Sequence, residues 1–506
     1  MRIQQFLLRT LMLAGLMVAM IWPAFCNRGP FYFVDTRTYM RGIDAVMNKL
    51  THRQTAWTAP ANKPAAASGN QPRQDADKKP SNSGDARTRS IGEITKQGIM
   101  LGRSLYYGLL LYIGAVAGGF WLTILMQSAT VLLVLYLVLR ALAYPAWPTL
   151  AWLCLGLCLV SDLSFFASYL MPDLFAAFAI LACAFLISSP ERLALRDGAP
   201  WFLLLTASML CHDTCFLLSV SFLGFAILAN LFQRSFGNLR GLGIILLASF
   251  TAWAGQSLVT YGVTRATGQP PLRFPLIEAR LVADGPGTNY LRSNCPESRF
   301  TLCEYVDEFP MNSYAFLFDV EPGKSVYEIA SYDQRRALSA EQFRFLLAVL
   351  KFDPAGVAKS GMRNTAAQLL DFGLSKFRYD PGEKETMDRT FPLQALAQMR
   401  AGAAYRGTMP AAALTVLLYL FVSGSLAYVL LVLFGLLPGR SMNHRLKTVF
   451  CWIITGIVLN AAICGGISAV ESRYQARVVW LIPLVALLVE ARACIDRHKN
   501  LLPQDA

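Results

Sequence analysis

The chain is 506 residues long with a formal net charge of +14; 55% of its residues are apolar and only 15% are charged. An ordinary soluble domain carries roughly 25% charged residues, so the composition excludes a soluble enzyme and a histone-like nucleic-acid binder. Repeated apolar runs point instead to an all-α polytopic membrane protein, since one helical span takes about 20 mostly apolar residues.

Ten spans are predicted, in chain order Phe6–Cys26, Val116–Leu139, Trp147–Leu163, Leu174–Ser188, Trp201–Leu210, Phe216–Phe232, Leu242–Val263, Ala411–Leu437, Val449–Val470 and Val478–Val489. The first follows basic residues, as a secretory signal would, but its exit, Trp22-Pro23-Ala24-Phe25-Cys26, offers no small-x-small cleavage site. A retained anchor is therefore expected. An even number of spans puts both termini on one side. The short loops and tails of that side hold 13 Lys and Arg, from Arg2 and Arg9 to Arg497 and Lys499, whereas the short loops opposite hold Arg473 and Arg477 alone. Lys and Arg stay in the cytoplasm. The expectation is a multi-pass protein of the cell inner membrane with both termini cytoplasmic and two long loops outside, Asn27–Arg103 and Arg265–Thr408.

This divides the chain into a first membrane part (1–264), a large outer-loop cap (265–408), and a second membrane part with a cytoplasmic tail (409–506). Within the first outer loop, Thr55–Arg89 is rich in Ala, Pro, Ser, Asn, Gln, Asp and Lys and almost free of large apolar residues. Such a stretch buries too little surface to offset its ordering entropy and is expected to be disordered. Ile91–Gly114 mixes Tyr and Arg with Leu and suits a helix lying in the membrane interface. The cap has apolar anchors throughout, a helix predicted over Ala340–Phe352 and ended by Asp353-Pro354, and a turn at Asp284-Gly285-Pro286-Gly287. Nine of the eleven cysteines lie in or beside spans, and only Cys295 and Cys303 lie in the large loop. Eight residues apart in an oxidising compartment, they are expected to form a disulfide, the alternative being two separate thiols.

Ionisable residues at span ends are where chemistry is to be sought. Gly29-Pro30-Phe31-Tyr32-Phe33-Val34-Asp35-Thr36-Arg37-Thr38-Tyr39 follows the first span directly. Ser168-Tyr169-Leu170-Met171-Pro172-Asp173 sits where the third span turns into the fourth, and Glu471-Ser472-Arg473-Tyr474-Gln475-Ala476-Arg477 precedes the last. Together with the span layout, these motifs resemble the C-type glycosyltransferases, polytopic enzymes that use polyprenyl-phosphate sugars. The resemblance implies an acidic residue on the first outer loop as general base or acceptor ligand, here Asp35, and a second on the next loop, here Asp173. That family often has an acidic pair at the first position; here Thr36 follows Asp35, and no metal or other cofactor is implied.

On that resemblance Asp35 and Asp173 are the candidate catalytic residues. Arg473 and Arg477 would meet the lipid phosphate, whose oxygens match the guanidinium fork, with Arg37, Tyr39 and Glu471 as further substrate contacts. Other readings stay open. Asp35 can cap a helix beginning at Thr36, Asp173 can serve as an N-cap or first-turn carboxylate, and the two arginines can simply anchor at headgroup depth. Cys211-His212-Asp213-Thr214-Cys215 has no standard zinc spacing and is read as a polar turn. The implied activity is transfer of a sugar from a polyprenyl-phosphate carrier to an extracytoplasmic acceptor, whether surface glycan, lipid or protein. A polysaccharide polymerase or ligase, and a transporter or flippase, are the alternatives; no nucleic-acid partner is expected, because no groove gathers bases with aromatics.

Overall fold

The computed structural model describes residues 2–53, 55–57, 103–189, 194–232, 238–319 and 323–501. Among them there is no strand, only a single parallel backbone bridge between Phe31 and Tyr169. The bundle is built from α1 (Arg2–Met20), α2 (Thr36–Thr51), α3 (Leu105–Ala117), α4 (Phe120–Ala141), α5 (Ala146–Val160), α6 (Leu174–Ile187), α7 (Leu195–Cys211), α8 (Asp213–Phe232) and α9 (Leu239–Thr267). The large loop adds α10 (Leu276–Asp284), α11 (Tyr332–Phe352) and α12 (Pro354–Leu370), with shorter helices between and after them. The chain closes with α13 (Ala411–Leu433), α14 (His444–Ile467), α15 (Ser472–Val479) and α16 (Leu481–Leu501).

Among the described residues, six stretches are long and apolar enough to cross a membrane: Phe120–Ala141, Asp213–Phe232, Leu239–Ala266, Ala411–Leu433, His444–Ile467 and Ser472–Arg497. Gln4–Met20, Leu105–Ala117, Ala146–Val160 and Leu174–Ile187 are shorter apolar helices. The chain is an all-α multi-pass membrane protein. At its centre stands α6, whose 14 residues are all buried. A helix apolar on every side satisfies itself only inside other helices, and α7, α8, α9, α14 and α15 pack round it. Close approach fixes its neighbours: a Cβ added at Gly241 of α9 would overlap the Leu186 carbonyl oxygen.

Several boundaries differ from the sequence pattern for local reasons. The first apolar run is two helices, α1 and a short turn Trp22–Cys26 restarting at Ile21 with Pro23 in its first turn, because proline is favoured at a helix start and not in its interior. The run expected from Val116 begins instead at Phe120. Gly119, at φ 75°, breaks the chain, and α3 folds back beside α4, with the Tyr107 hydroxyl donating to Gln127 Oε1 at 2.9 Å. The helix expected from Ala340 begins at Tyr332, where Ser331 and Gln334 form a reciprocal capping box. It ends as expected at Asp353, which caps α12. Gly285, at φ 106°, makes the turn between α10 and Pro286–Asn294.

The large loop falls into two parts. Residues from Ala279 to Val349 enclose their own apolar cluster around Phe300, Phe316, Tyr327 and Phe345, and Cys295 and Cys303 are bonded there with Cα atoms 5.5 Å apart. Phe372 to Met409 instead join the main core. Phe377 packs against Phe31, Phe165, Phe166 and Tyr169, and the Tyr379 hydroxyl accepts from the Tyr32 N–H at 2.8 Å. The stretch expected to be disordered, Thr55–Arg89, begins ordered. Thr55 donates through its N–H and hydroxyl to Asp44, and Trp57 lies between Phe120 and Phe391. The remainder, 58–89, and the first part of the expected interface helix, 91–102, lie outside the described residues.

Candidate functional site

The three sequence motifs meet at the end of the bundle that carries the large loop. Phe31 N–H donates to Ser168 O at 3.0 Å, Leu170 N–H donates to Phe31 O at 2.9 Å, and Thr36 Oγ1 donates to Leu170 O at 3.1 Å. The segment holding Asp35 is thereby laced to the segment holding Asp173. The third motif enters through α15, where a four-residue spacing sets Arg473 and Arg477 on one helix face. The Arg473 guanidinium lies 4.3 Å over the Phe33 ring and donates to the Tyr169 hydroxyl at 3.3 Å.

Asp173 stands at the N-cap position of the central helix α6, yet its side chain makes no capping bond. Its Oδ1 accepts from Arg477 Nη1 at 3.3 Å, with Arg473 Nε 3.8 Å away. Arg477 is wholly buried and Asp173 is 1% exposed. Burial opposes ionisation here, but Arg473, Arg477 and His212 hold the Asp173 carboxyl below the usual carboxylate range. Arg477 also donates to Asn460 Oδ1 at 3.1 Å and to Cys464 Sγ at 3.3 Å, and lies 3.1 Å from His212 Nε2. Burial, followed by Arg477, pushes His212 down to about 3, so the ring is neutral at physiological pH. A neutral ring accepts at one nitrogen only, here from Arg477 at Nε2 or from the Thr214 N–H at Nδ1.

Asp35 likewise sits at the N-cap position of α2 without capping it. Its Oδ2 pairs with Arg103 Nη2 at 2.6 Å, and it keeps 21% of its side chain exposed. Tyr39 is buried one turn on. Burial raises its hydroxyl; Arg103 opposes that rise while Asp35 and Asp173 add to it, so the phenol lies in the field of both carboxylates. Arg37 and Arg41, one turn apart on α2, have no ion pair or hydrogen bond among the described residues, and Arg37 Nε is buried without a partner. Burial and the neighbouring Arg41 push Arg37 down to about 10. Glu471 points elsewhere, 3.9 Å from Lys376.

No family model, curated protein or solved structure matches the chain. Its chemistry rests on this geometry. Three guanidinium groups gather against the two carboxylates, Arg103 against Asp35 and Arg473 and Arg477 against Asp173, and Arg37 and Arg41 make a further cation pair on α2. Arg473 and Arg477 are held by Asp173, and Arg103 by Asp35; Arg37 and Arg41 have no ion pair among the described residues. Such an excess of guanidinium over carboxylate groups suits an anion chemically, and the Asp35 carboxylate stays 21% exposed.

The site residues expected from sequence divide accordingly. Asp173, Arg473 and Arg477 form one buried knot, Asp35 keeps partial exposure beside Arg103, Tyr39 is buried, Arg37 has no ion pair among the described residues, and Glu471 turns to Lys376. Sequence reading missed Arg103, Arg41, Asn460 and the part played by His212. Arg41 was signalled by its spacing from Arg37, and Asn460 by being a lone amide in an apolar run.

Proposed function

We propose that the protein is a membrane glycosyltransferase resembling the C-type enzymes, moving a sugar from a polyprenyl-phosphate carrier to an extracytoplasmic acceptor at the outer face of the inner membrane. The observation that carries the reading is the part-buried pair Arg37 and Arg41, without an ion pair or hydrogen bond among the described residues, on the helix that Asp35 begins. A burdened cation pair is relieved by a phosphate, and Arg binds phosphate oxygens bidentately.

In this reading ten passages cross the membrane: α1, α4 to α9, α13, α14, and α15 continuing into α16. Chain direction alternates between them, which returns Asp35, Asp173, His212 and Arg473 to one end. Both termini lie in the cytoplasm, and 265–408 forms a cap outside. The acceptor hydroxyl attacks the anomeric carbon while Asp35 takes its proton. The bond from that carbon to the phosphate oxygen breaks, and the polyprenyl phosphate leaves with the electron pair, its charge met by Arg37 and Arg41. A single displacement inverts the anomeric centre. Asp173 is a positioning residue, holding Arg473 and Arg477 at the back of the site.

The test is binding of undecaprenyl phosphate to the full chain in nanodiscs. Arg37→Gln is expected to weaken it about tenfold, the scale of one charge-assisted hydrogen bond, and R37Q/R41Q to abolish it. Unchanged binding in the double variant contradicts the reading. A transporter has weaker support, since the charged groups gather at one end of the bundle and not at its midplane.

A further inference from the structure

Beside the charged centre, the second half of the large loop meets the bundle in an open cleft of about 380 Å³. Ser472, at its wall, directly precedes Arg473. One side of the cleft is aromatic: Phe372 and Tyr419 stack with ring centroids 4.0 Å apart. This side is fixed by its own backbone, because the Tyr419 hydroxyl accepts from the Phe372 N–H at 3.1 Å and donates to Leu370 O at 2.6 Å. Thr415 Oγ1 accepts from the Leu374 N–H at 3.0 Å. The cleft therefore keeps its shape without a ligand.

The other side is polar. Lys376 Nζ lies 3.2 Å from Glu383 and 3.9 Å from Glu471, and the hydroxyls of Ser375 and Ser472 lie 3.0 Å apart. Asp371 lines the cleft half-buried, and its carboxylate has no ion pair or hydrogen bond among the described residues. Burial and Glu471 raise it above the usual carboxylate range. A lipid tail does not fit so polar a lining, and a metal ion does not fit an ammonium group among the carboxylates. What fits is a ring that carries several hydroxyls round its edge and an apolar C–H face. Carboxylates accept from such hydroxyls, Lys donates to them, and the serines do either; a concave site with an apolar wall and a few convergent polar groups is what a small ligand needs.

We propose that this cleft is a glycan subsite, in which Asp371 and Glu471 accept hydrogen bonds from the hydroxyls of a sugar ring and Lys376 donates to them. That the ring belongs to the acceptor rests on the transferase reading; that a polyhydroxylated ring binds rests on the lining alone. Its position brings an acceptor to the membrane surface beside Arg473.

Saturation-transfer difference NMR on the full chain in nanodiscs, with methyl glucosides, galactosides and mannosides as probes, tests it. Transfer to at least one glycoside is expected in the wild type. Ser375→Trp, which fills the cleft, and Asp371→Ala, which removes the unpaired carboxylate, should each reduce it about tenfold, a hydrogen bond to a charged group being worth about that. Undecaprenyl phosphate binding should survive both changes and show that the variants are folded. Absence of transfer to every glycoside, or undiminished transfer in both variants, overturns the proposal. Glycoside binding without undecaprenyl phosphate binding would keep the subsite and remove the transferase reading.

Discussion

At the scale of residues, the knot of Asp173, Arg473, Arg477 and His212 makes the sharpest demands. Removing one member of a buried ion pair leaves the other charge uncompensated, at a cost of about 3–5 kcal/mol. Asp173→Asn should therefore lower the melting temperature markedly, and adding Arg477→Met should restore part of the loss; a D173N variant as stable as wild type would contradict the pairing. His212 gives the knot a pH signature. Its ordinary value lies near 6.5, and the fold holds it at about 3. The unfolded chain thus binds this proton more readily, so stability is full above about pH 6.5 and declines as pH falls towards 3. Asp173 titrates below the usual carboxylate range, so its stabilisation is lost only at lower pH. Between pH 6.5 and 4.5 the melting temperature in nanodiscs should fall, and H212Q should flatten that fall; equal slopes would contradict it. Asp35, Asp173, Arg473 and Arg477 were singled out in the sequence by the resemblance of the three span-end motifs that carry them, and Asp173 meets both arginines in the structure. Arg103 was not, because it reaches Asp35 across 68 residues and no helical periodicity reports a tertiary pair.

At the scale of elements, hydropathy located the apolar runs but could not see where they break. Pro23 restarts the first run, Gly119 turns α3 back on α4, and Ser331 with Gln334 starts α11 earlier than its apolar face suggests. Nor did hydropathy separate the two halves of the large loop, which differ in what they pack against. The composition of α6 did carry its fate: Leu174–Ile187 holds no charge, and an all-apolar helix belongs in the middle of a bundle. Because α9 approaches it at Gly241, Gly241→Val should push the two helices apart at a cost of about 1–3 kcal/mol, as overpacking does. Helix spacing read by cross-linking, together with thermal melting, checks this; an unshifted melting point would place the two helices farther apart than described.

At the scale of the whole molecule, the proposed transfer needs one orientation and one active face. In a background with the exposed Cys26, Cys451 and Cys494 replaced by Ser, a cysteine at Asp333 should react with an impermeant maleimide added to intact cells. One at Ser441 should react only after lysis; the reverse pattern would put the large loop in the cytoplasm. At this end of the bundle the test falls on Asp35, whose side chain stays 21% exposed while paired to Arg103. Asp35→Asn keeps its shape and loses its basicity. The direct measurement is sugar transfer from radiolabelled polyprenyl-phosphate monosaccharides by wild type and D35N in nanodiscs, with undecaprenyl phosphate binding read alongside. The wild type should transfer, and D35N should bind the lipid phosphate as tightly while transfer falls by about a hundredfold or more, the range of a lost general base. Full transfer by D35N would contradict it.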